Sequence, residues 1–285
     1  MLRGSYNVRL ASDWHGGDEA LMIALHARRP MIVALTGADR LIVLNELGIR
    51  SLPHALQAKA RAVLQSCSAW RRLDKTSKHL RAVMVGHLRA EKSPGTSFEA
   101  ARMLSSRPDI LLDHVGAALD PHLGLEAAEL MRACPQYRWL GGLPHASARR
   151  RIQGAHVLVH PSCMEGGAHV VIEAVRSGTP VLASRIDGNV GLLGEDYAGY
   201  FRVGDAAGLS SLLQRVRDEP ALLTRLQEQC AERAALFDPA READSLRGVV
   251  RELLDGTEVL VAREPQQSSP IALGTLAPKA PGSPT

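Results

Sequence analysis

The stretch on which the fold turns runs Val157-Leu-Val-His-Pro-Ser162, then Glu165-Gly-Gly-Ala-His-Val-Val-Ile-Glu173, then Ala174-Val-Arg-Ser-Gly-Thr-Pro-Val-Leu-Ala183. A short apolar run rich in β-branched residues predicts a buried strand. It leads into a turn of small residues that holds one carboxylate. A helix then carries a second carboxylate, and another apolar run follows.

If the helix starts near Gly167 or Ala168, its free N–H groups can receive an anionic phosphate, and the glycines before it let a ligand approach the backbone. Glu165 then sits at the mouth of the strand and Glu173 about one and a half turns into the helix. A carboxylate accepts both hydroxyls of a ribose diol or binds sugar hydroxyls, so two of them suit opposite ends of a nucleotide-sugar. The plainer alternative is a solvated loop glutamate and an exposed helix charge.

Working outward, Arg81-Ala-Val-Met-Val-Gly-His-Leu-Arg-Ala-Glu-Lys92 reads as a strand leaving through Gly86 into a basic loop. Further strand-like runs fall at Ile110–Leu112, Arg138–Leu140, His156–Val159 and Val181–Ala183. They alternate with helix-like stretches around Glu99–Ser105, Leu125–Ala133, Ala146–Gln153 and His169–Arg176. That alternation predicts an α/β fold, a doubly wound parallel sheet with helical crossovers. In such a sheet the ligand belongs at the carboxyl ends of the strands. His87, Gly116, Gly141-Gly142-Leu143-Pro144 and Glu165 all fall at such ends.

Pro161-Ser162, Glu165-Gly166-Gly167, Glu173-Ala174 and Gly178-Thr179-Pro180-Val181 resemble, in order and spacing, the nucleotide-sugar motif of GT-B glycosyltransferases of family four. The basic loop is similar to that family's Gly-Arg-Leu-x-x-x-Lys segment, with His87 where arginine is usual. The resemblance implies a GT-B, Rossmann-type C-terminal half and a UDP-sugar as co-substrate. It makes Arg89, Lys92 and Glu165 the catalytic candidates, since fixed cations beside the leaving diphosphate lower the barrier to its departure. It gives Gly86, His87, Leu143, Gly166, Gly167 and Glu173 to the nucleotide-sugar, with backbone near Leu143 meeting the base. It implies no metal and no cofactor.

A narrower likeness rests on Leu25-His-Ala-Arg-Arg29, Ala34-Leu-Thr-Gly-Ala-Asp39, Gly86–Lys92, Tyr137-Arg-Trp-Leu-Gly141, Met164-Glu-Gly-Gly167 and Gly191-Leu-Leu-Gly-Glu-Asp-Tyr-Ala-Gly-Tyr-Phe201. These segments resemble the selenosugar synthases of selenoneine biosynthesis. The implied acceptor is selenophosphate, joined to the anomeric carbon of UDP-N-acetylglucosamine. A GT-B transferase with another acceptor, or a sugar-nucleotide-binding remnant with little turnover, remain the alternatives.

Composition narrows the partners. A net charge of +4 suits anionic ligands. Scattered arginines, only 4% aromatic residues and the lack of a zinc finger or basic helix argue against nucleic acid. No apolar run reaches the length of a membrane span, and the N-terminus lacks a signal peptide's apolar stretch, so a cytoplasmic setting is expected. Cys67, Cys134, Cys163 and Cys230 form no metal or redox motif. His169 with Glu173, and His156 with His160, stand four apart, but the second pair falls in a strand-like run and neither has further ligands nearby.

The N-terminal part reads as reduced. Leu21–Leu25, Met31–Leu35 and Leu41–Leu44 look like strands, yet His26–Pro30 and Thr36–Arg40 are too short for parallel crossovers. Either these strands pair as hairpins, or segments usual in the family are missing. The polar groups on this acceptor side are His26, Arg28, Arg29, Thr36 and Asp39.

The expected organisation is a shortened acceptor-side unit over 1–80, a donor unit over 81–236, and a helix over 237–262 that crosses back. A disordered Pro/Gly-rich tail is expected over 263–285. Ser184–Gly194 resembles the glycine-containing loop that follows the motif in this family, and Asp205–Val216, Glu219–Ala235 and Pro239–Leu254 read as helices.

Overall fold

The computed structural model describes residues 37–261, with side chains to residue 254. The runs Leu21–Leu25 and Met31–Leu35, the candidates His26, Arg28, Arg29 and Thr36, and the segment 263–285 lie outside the described residues.

A small two-stranded sheet comes first. Strand β1 (Leu41–Val43) leads through helices α1 (Glu46–Ser51) and α2 (His54–Gln57) to β2 (Ala60–Ala62), which lies parallel to it. Neither β2 nor its two crossover helices was legible as such in the sequence, because each is too short for a periodic pattern. Side chains alternate across the pleat. Leu41 and Val43 pack with Leu52, Leu56 and Ala60 on one face, while Ile42 turns to the other.

The main sheet has six strands: β3 (Leu80–Val85), β4 (Ile110–Val115), β5 (Tyr137–Trp139), β6 (Val157–His160), β7 (Val181–Ser184) and β8 (Tyr200–Phe201). All neighbours are parallel, in the order β5-β4-β3-β6-β7-β8. The connecting helices are α3 (Pro94–Met103), α4 (Pro121–Ala133), α5 (His145–Gly154), α6 (His169–Val175) and α7 (Asp187–Leu193). Helices on both faces bury the central strands β6 and β7 completely; Val157, Leu158 and Val159 are each 0% exposed. The α/β, Rossmann-type doubly wound sheet expected from the alternation is present.

Ser184–Gly194 contains helix α7 and is not an open loop, with Val190, Leu192 and Leu193 buried. Glycine at 188 and 191 obscured the helical period, and both are required by close neighbours: a Cβ on Gly188 would lie 2.1 Å from the Glu165 carbonyl oxygen, and one on Gly191 2.5 Å from Asn45 Cγ.

Helices α8 (Ala206–Asp218), α9 (Pro220–Ala234) and α10 (Pro239–Val261) complete the described chain. Asp205 caps α8 through Gly208 N at 2.7 Å, and Pro220 opens α9 at a position where no backbone donor is needed. Helix α10 returns to the small sheet. Its Val249, flanked by Leu246 and Leu253, packs on Ile42 and Val63. Its Glu252 pairs with Arg40 at 3.2 Å and Arg61 at 2.7 Å. The small sheet is therefore layered between α1–α2 and α10.

Candidate functional site

Strands β3 and β6 are neighbours whose chains proceed to opposite edges of the sheet. The loops after them diverge and leave a crevice at the strands' carboxyl ends, where open α/β sheets hold ligands. The loop after β3 carries Gly86–Lys92; the loop after β6 carries Pro161–Ala168.

The floor is set by a backbone approach. A Cβ on Gly116 would lie 1.9 Å from the Gly86 carbonyl oxygen, so only glycine fits there. His114, wholly buried on β4, holds this floor. Its Nε2 lies 3.0 Å from the Gly86 carbonyl oxygen and its Nδ1 2.9 Å from the Tyr137 hydroxyl. A carbonyl only accepts, so Nε2 carries the hydrogen and Nδ1 accepts from Tyr137. Burial pushes the His114 imidazole down to about 4 and the Tyr137 phenol far up.

Above the floor, His87 is exposed, and its Nδ1 accepts from Ala117 N at 3.0 Å. Arg89 is partly buried, its Nε 4.0 Å from Glu91. Lys92 ends a 3₁₀ turn (Ala90–Lys92) and reaches across the crevice, Nζ 2.5 Å from Glu165 Oε1. Cys163 N donates to Glu91 O at 3.0 Å, so the two loops are also tied through backbone. The Cys163 thiol is exposed but raised, chiefly by partial burial, which disfavours a thiolate there.

Glu165 is nearly enclosed. His160 Nε2 stands 3.3 Å from the same oxygen, close but too poorly aligned for a full hydrogen bond. Burial alone would raise the carboxyl. The His160 imidazole and the Lys92 ammonium outweigh it and hold Glu165 at about 2, a fixed anion. The solvated-loop alternative for Glu165 fails on this geometry.

Glu173 is 2% exposed. Helix α6 starts at His169, so Glu173 stands one turn in, a little nearer the helix start than expected. His145 Nε2 lies 2.5 Å and His169 Nδ1 3.5 Å from Glu173 Oε1. Burial works to raise Glu173, and the two imidazoles reverse this and hold it below the usual carboxylate range. In return the Glu173 carboxylate raises His169. The exposed-helix reading of Glu173 fails too. So does the expectation that the His169–Glu173 pair has no further ligand nearby, since His145 arrives from the start of α5.

The two glycines of the turn meet the small sheet. Gly166 O accepts from Asn45 Nδ2 at 2.8 Å, and a Cβ on Gly167 would lie 2.7 Å from Leu44 Cδ1. Asn45 also caps α1 through Gly48 N at 3.0 Å, and its Cγ would lie 2.5 Å from a Cβ on Gly191. Leu143, half-buried, packs on the main core after Gly141, whose φ is +68°.

Of the acceptor-side candidates only Asp39 is described. It is exposed before β1, with its carbonyl accepting from the Arg40 guanidinium at 2.9 Å. The structure thus brings Lys92 and Glu165 together, and separates His156 from His160. His156 binds Arg81 N at 2.9 Å and Thr76 O at 2.8 Å, before the start of β6.

Sequence reasoning missed His114, His145, His160 and Asn45 as parts of the site. His160 at the last position of a strand, and His145 just after Pro144 in a strand-end loop, were the available signals. Among the described residues, no helix is long and apolar enough to cross a membrane.

Comparison with known proteins agrees with this fold. The family described as Glycosyl transferases group 1 matches residues 70–237. D-inositol 3-phosphate glycosyltransferase 1 of Catenulispora acidiphila is 30% identical over 114 residues, 40% of this chain and 27% of the relative. Glycogen synthase of Mycobacterium tuberculosis is 30% identical over 147 residues, 50% of this chain and 34% of the relative. The chain thus matches about a third or less of these relatives' length. Among solved structures, sucrose-phosphate synthase from Thermosynechococcus elongatus superposes with a TM-score of 0.68 at 22% identity, covering 86% of this chain and 64% of that one. An Anabaena protein solved with UDP and glucose gives 0.63 at 14%, covering 86% and 69%. At these identities the structures bear on the fold alone, and they share the GT-B-type α/β architecture.

Proposed function

The chain belongs to the group 1 glycosyl transferases, and on that premise we propose that it transfers the sugar of a UDP-sugar bound in the β3–β6 crevice. The observation that carries this reading is the meeting of Lys92 and Glu165 at the topological switch point, 2.5 Å apart and largely enclosed.

In this reading Arg89 and Lys92 face the donor's diphosphate. As the sugar–phosphate bond breaks, its electron pair leaves with UDP, and cations fixed beside those oxygens stabilise the growing charge. Glu165 orients the sugar, and its depressed pKa keeps it an acceptor of hydroxyl hydrogens rather than a proton donor. Glu173 takes the ribose diol, with His145 and His169 displaced or re-aimed. Gly86, His87, Gly166 and Gly167 line the donor's side of the crevice, and the segment at Leu143 meets the base. No metal or cofactor takes part in transfer, and the setting is cytoplasmic.

For the acceptor we propose selenophosphate, whose selenium forms the new bond to the anomeric carbon of UDP-N-acetylglucosamine as UDP departs. Support comes from the segments Met164–Gly167 and Gly191–Phe201, which resemble selenosugar synthases. The test is incubation of purified protein with UDP-N-acetylglucosamine and enzymatically supplied selenophosphate, following UDP and selenosugar by mass spectrometry. UDP release only with another acceptor retires selenium and keeps the transferase.

A second reading, a donor-binding remnant, is favoured by one observation: Leu44 and Asn45 pack directly on the Gly166–Gly167 turn. Saturable UDP binding without product would select it.

A further inference from the structure

We propose that His145, His169 and Glu173 form a binding site for a zinc-class divalent ion, with His145 Nε2, His169 Nδ1 and Glu173 Oε1 as ligands and solvent completing the coordination.

Geometry is the first argument. The three ligand atoms lie within 4.8 Å of one another, and both nitrogens converge on the same carboxylate oxygen. Zinc with three protein ligands takes bonds of about 2.0–2.2 Å, which sets neighbouring tetrahedral ligand atoms about 3.3 Å apart. His169 already stands at 3.5 Å, and His145, at 2.5 Å, need retreat by less than about an ångström. His145 is free to do so, with 73% of its side chain exposed at the first position of α5.

The second argument is the layer behind the ligands. His169 Nε2 lies 3.3 Å from the Ser66 carbonyl oxygen, which can only accept. Nε2 therefore carries the hydrogen, and in the neutral ring the Nδ1 lone pair faces the Glu173 carboxylate. Two electron-rich atoms held face to face call for a cation between them. A ring nitrogen bound to a carbonyl behind and aimed at an oxygen in front is the arrangement metal-ligating histidines use to fix their tautomer. Either a proton or a metal ion meets the need; the second imidazole, aimed at the same oxygen, is what a proton alone does not require.

The third argument is rigidity. His169 and Glu173 are one turn apart on α6, so their spacing is set by the helix, and Glu173 is nearly inaccessible apart from this opening. Opposing the site is the Arg149 guanidinium, which repels a cation there. It is engaged elsewhere, bonded to the Ser68 carbonyl and stacked 4.3 Å over the Trp70 ring.

The ion has no part in the transfer proposed above. It would occupy the oxygen assigned there to the ribose, so zinc and UDP would compete; that consequence alone rests on the donor-binding reading.

The test is calorimetric titration of the untagged, EDTA-stripped full chain with zinc chloride at neutral pH, with cobalt(II) as a visible-absorbance probe of tetrahedral coordination. Wild type should bind one equivalent and give the intense ligand-field bands of a tetrahedral site. His145→Ala and His169→Asn should each weaken binding at least about tenfold. In EDTA the exposed His145→Ala should melt as wild type does. Absence of saturable binding overturns the proposal, as does binding that both variants leave unchanged, which would place the ion on other histidines or cysteines. If zinc binds as expected and UDP fails to weaken it, the metal site stands and the assignment of Glu173 to the ribose falls.

Discussion

Lys92 Nζ and Glu165 Oε1 stand 2.5 Å apart, bridging the ends of two strands that diverge to opposite edges of the sheet. The pair is both a structural tie and the proposed catalytic centre, and a double-mutant cycle separates the two roles. Lys92→Met leaves an enclosed carboxylate with only His160 to offset it and should cost up to about 3 kcal/mol. Lys92→Met with Glu165→Gln removes both charges and should recover most of that stability, while UDP release stays at least about 100-fold down. Thermal melts beside the transfer assay decide it. Recovery of both stability and activity would make the pair purely structural.

His114 predicts an acid-sensitive fold. In the unfolded chain its ring takes up a proton near 6.5, but in the folded protein only near 4. Between those values the unfolded state binds more protons, so the stabilisation is present above pH 6.5 and is lost as pH falls towards 4. The full loss is roughly 3 kcal/mol. Urea unfolding at pH 7 and pH 4.5 should show a smaller acid penalty in His114→Gln than in wild type. Equal penalties would remove His114 from the account.

Two glycines should respond differently to alanine. At Gly116 the new methyl meets backbone, 1.9 Å from the Gly86 oxygen, and cannot be accommodated without parting the β3 and β4 loops. At Gly191 it meets the Asn45 side chain at 2.5 Å. Gly116→Ala should lower the global melting temperature by several degrees. Gly191→Ala should instead open residues 41–63 to proteolysis, at a cost of about 1–3 kcal/mol confined to that unit. A uniform loss in both variants would contradict this division.

Ser93 is the single non-glycine residue with positive φ among the described residues, at +46°, immediately after Lys92. A β-branched side chain tolerates this region worse than serine does. Ser93→Val should destabilise by about 1–2 kcal/mol, and Ser93→Gly by little or nothing. Matching losses in both, measured by urea unfolding, would place the cost elsewhere.

Five strands of the main sheet were legible because most are largely apolar runs bounded by turn residues and βαβ alternation leaves little freedom of topology, whereas β8, two residues long, was not. Glu165 and Glu173 drew attention because a strand end and their spacing locate them, and Gly86 and Lys92 because the basic loop resembles a family segment. His145 and His160 could not, because their partners are 28 and 5 residues away and nothing local tells an imidazole's direction. The small sheet stayed hidden for a different reason. Its strands are three residues long, and one of its faces is covered by residues such as Val249, far along the chain.

That last contact also sets a timetable. Arg40 and Glu252, which join the small sheet to α10, are 212 residues apart in the chain. At ribosomal speeds of about 5–20 residues per second, α10 leaves the exit tunnel some 10–40 s after β1. Throughout that interval Ile42 and Val63 lack their cover, while the larger sheet, built from near neighbours in sequence, can already close. On that face the nascent small sheet thus waits for α10, and damage to α10 should be felt first as loss of yield during synthesis.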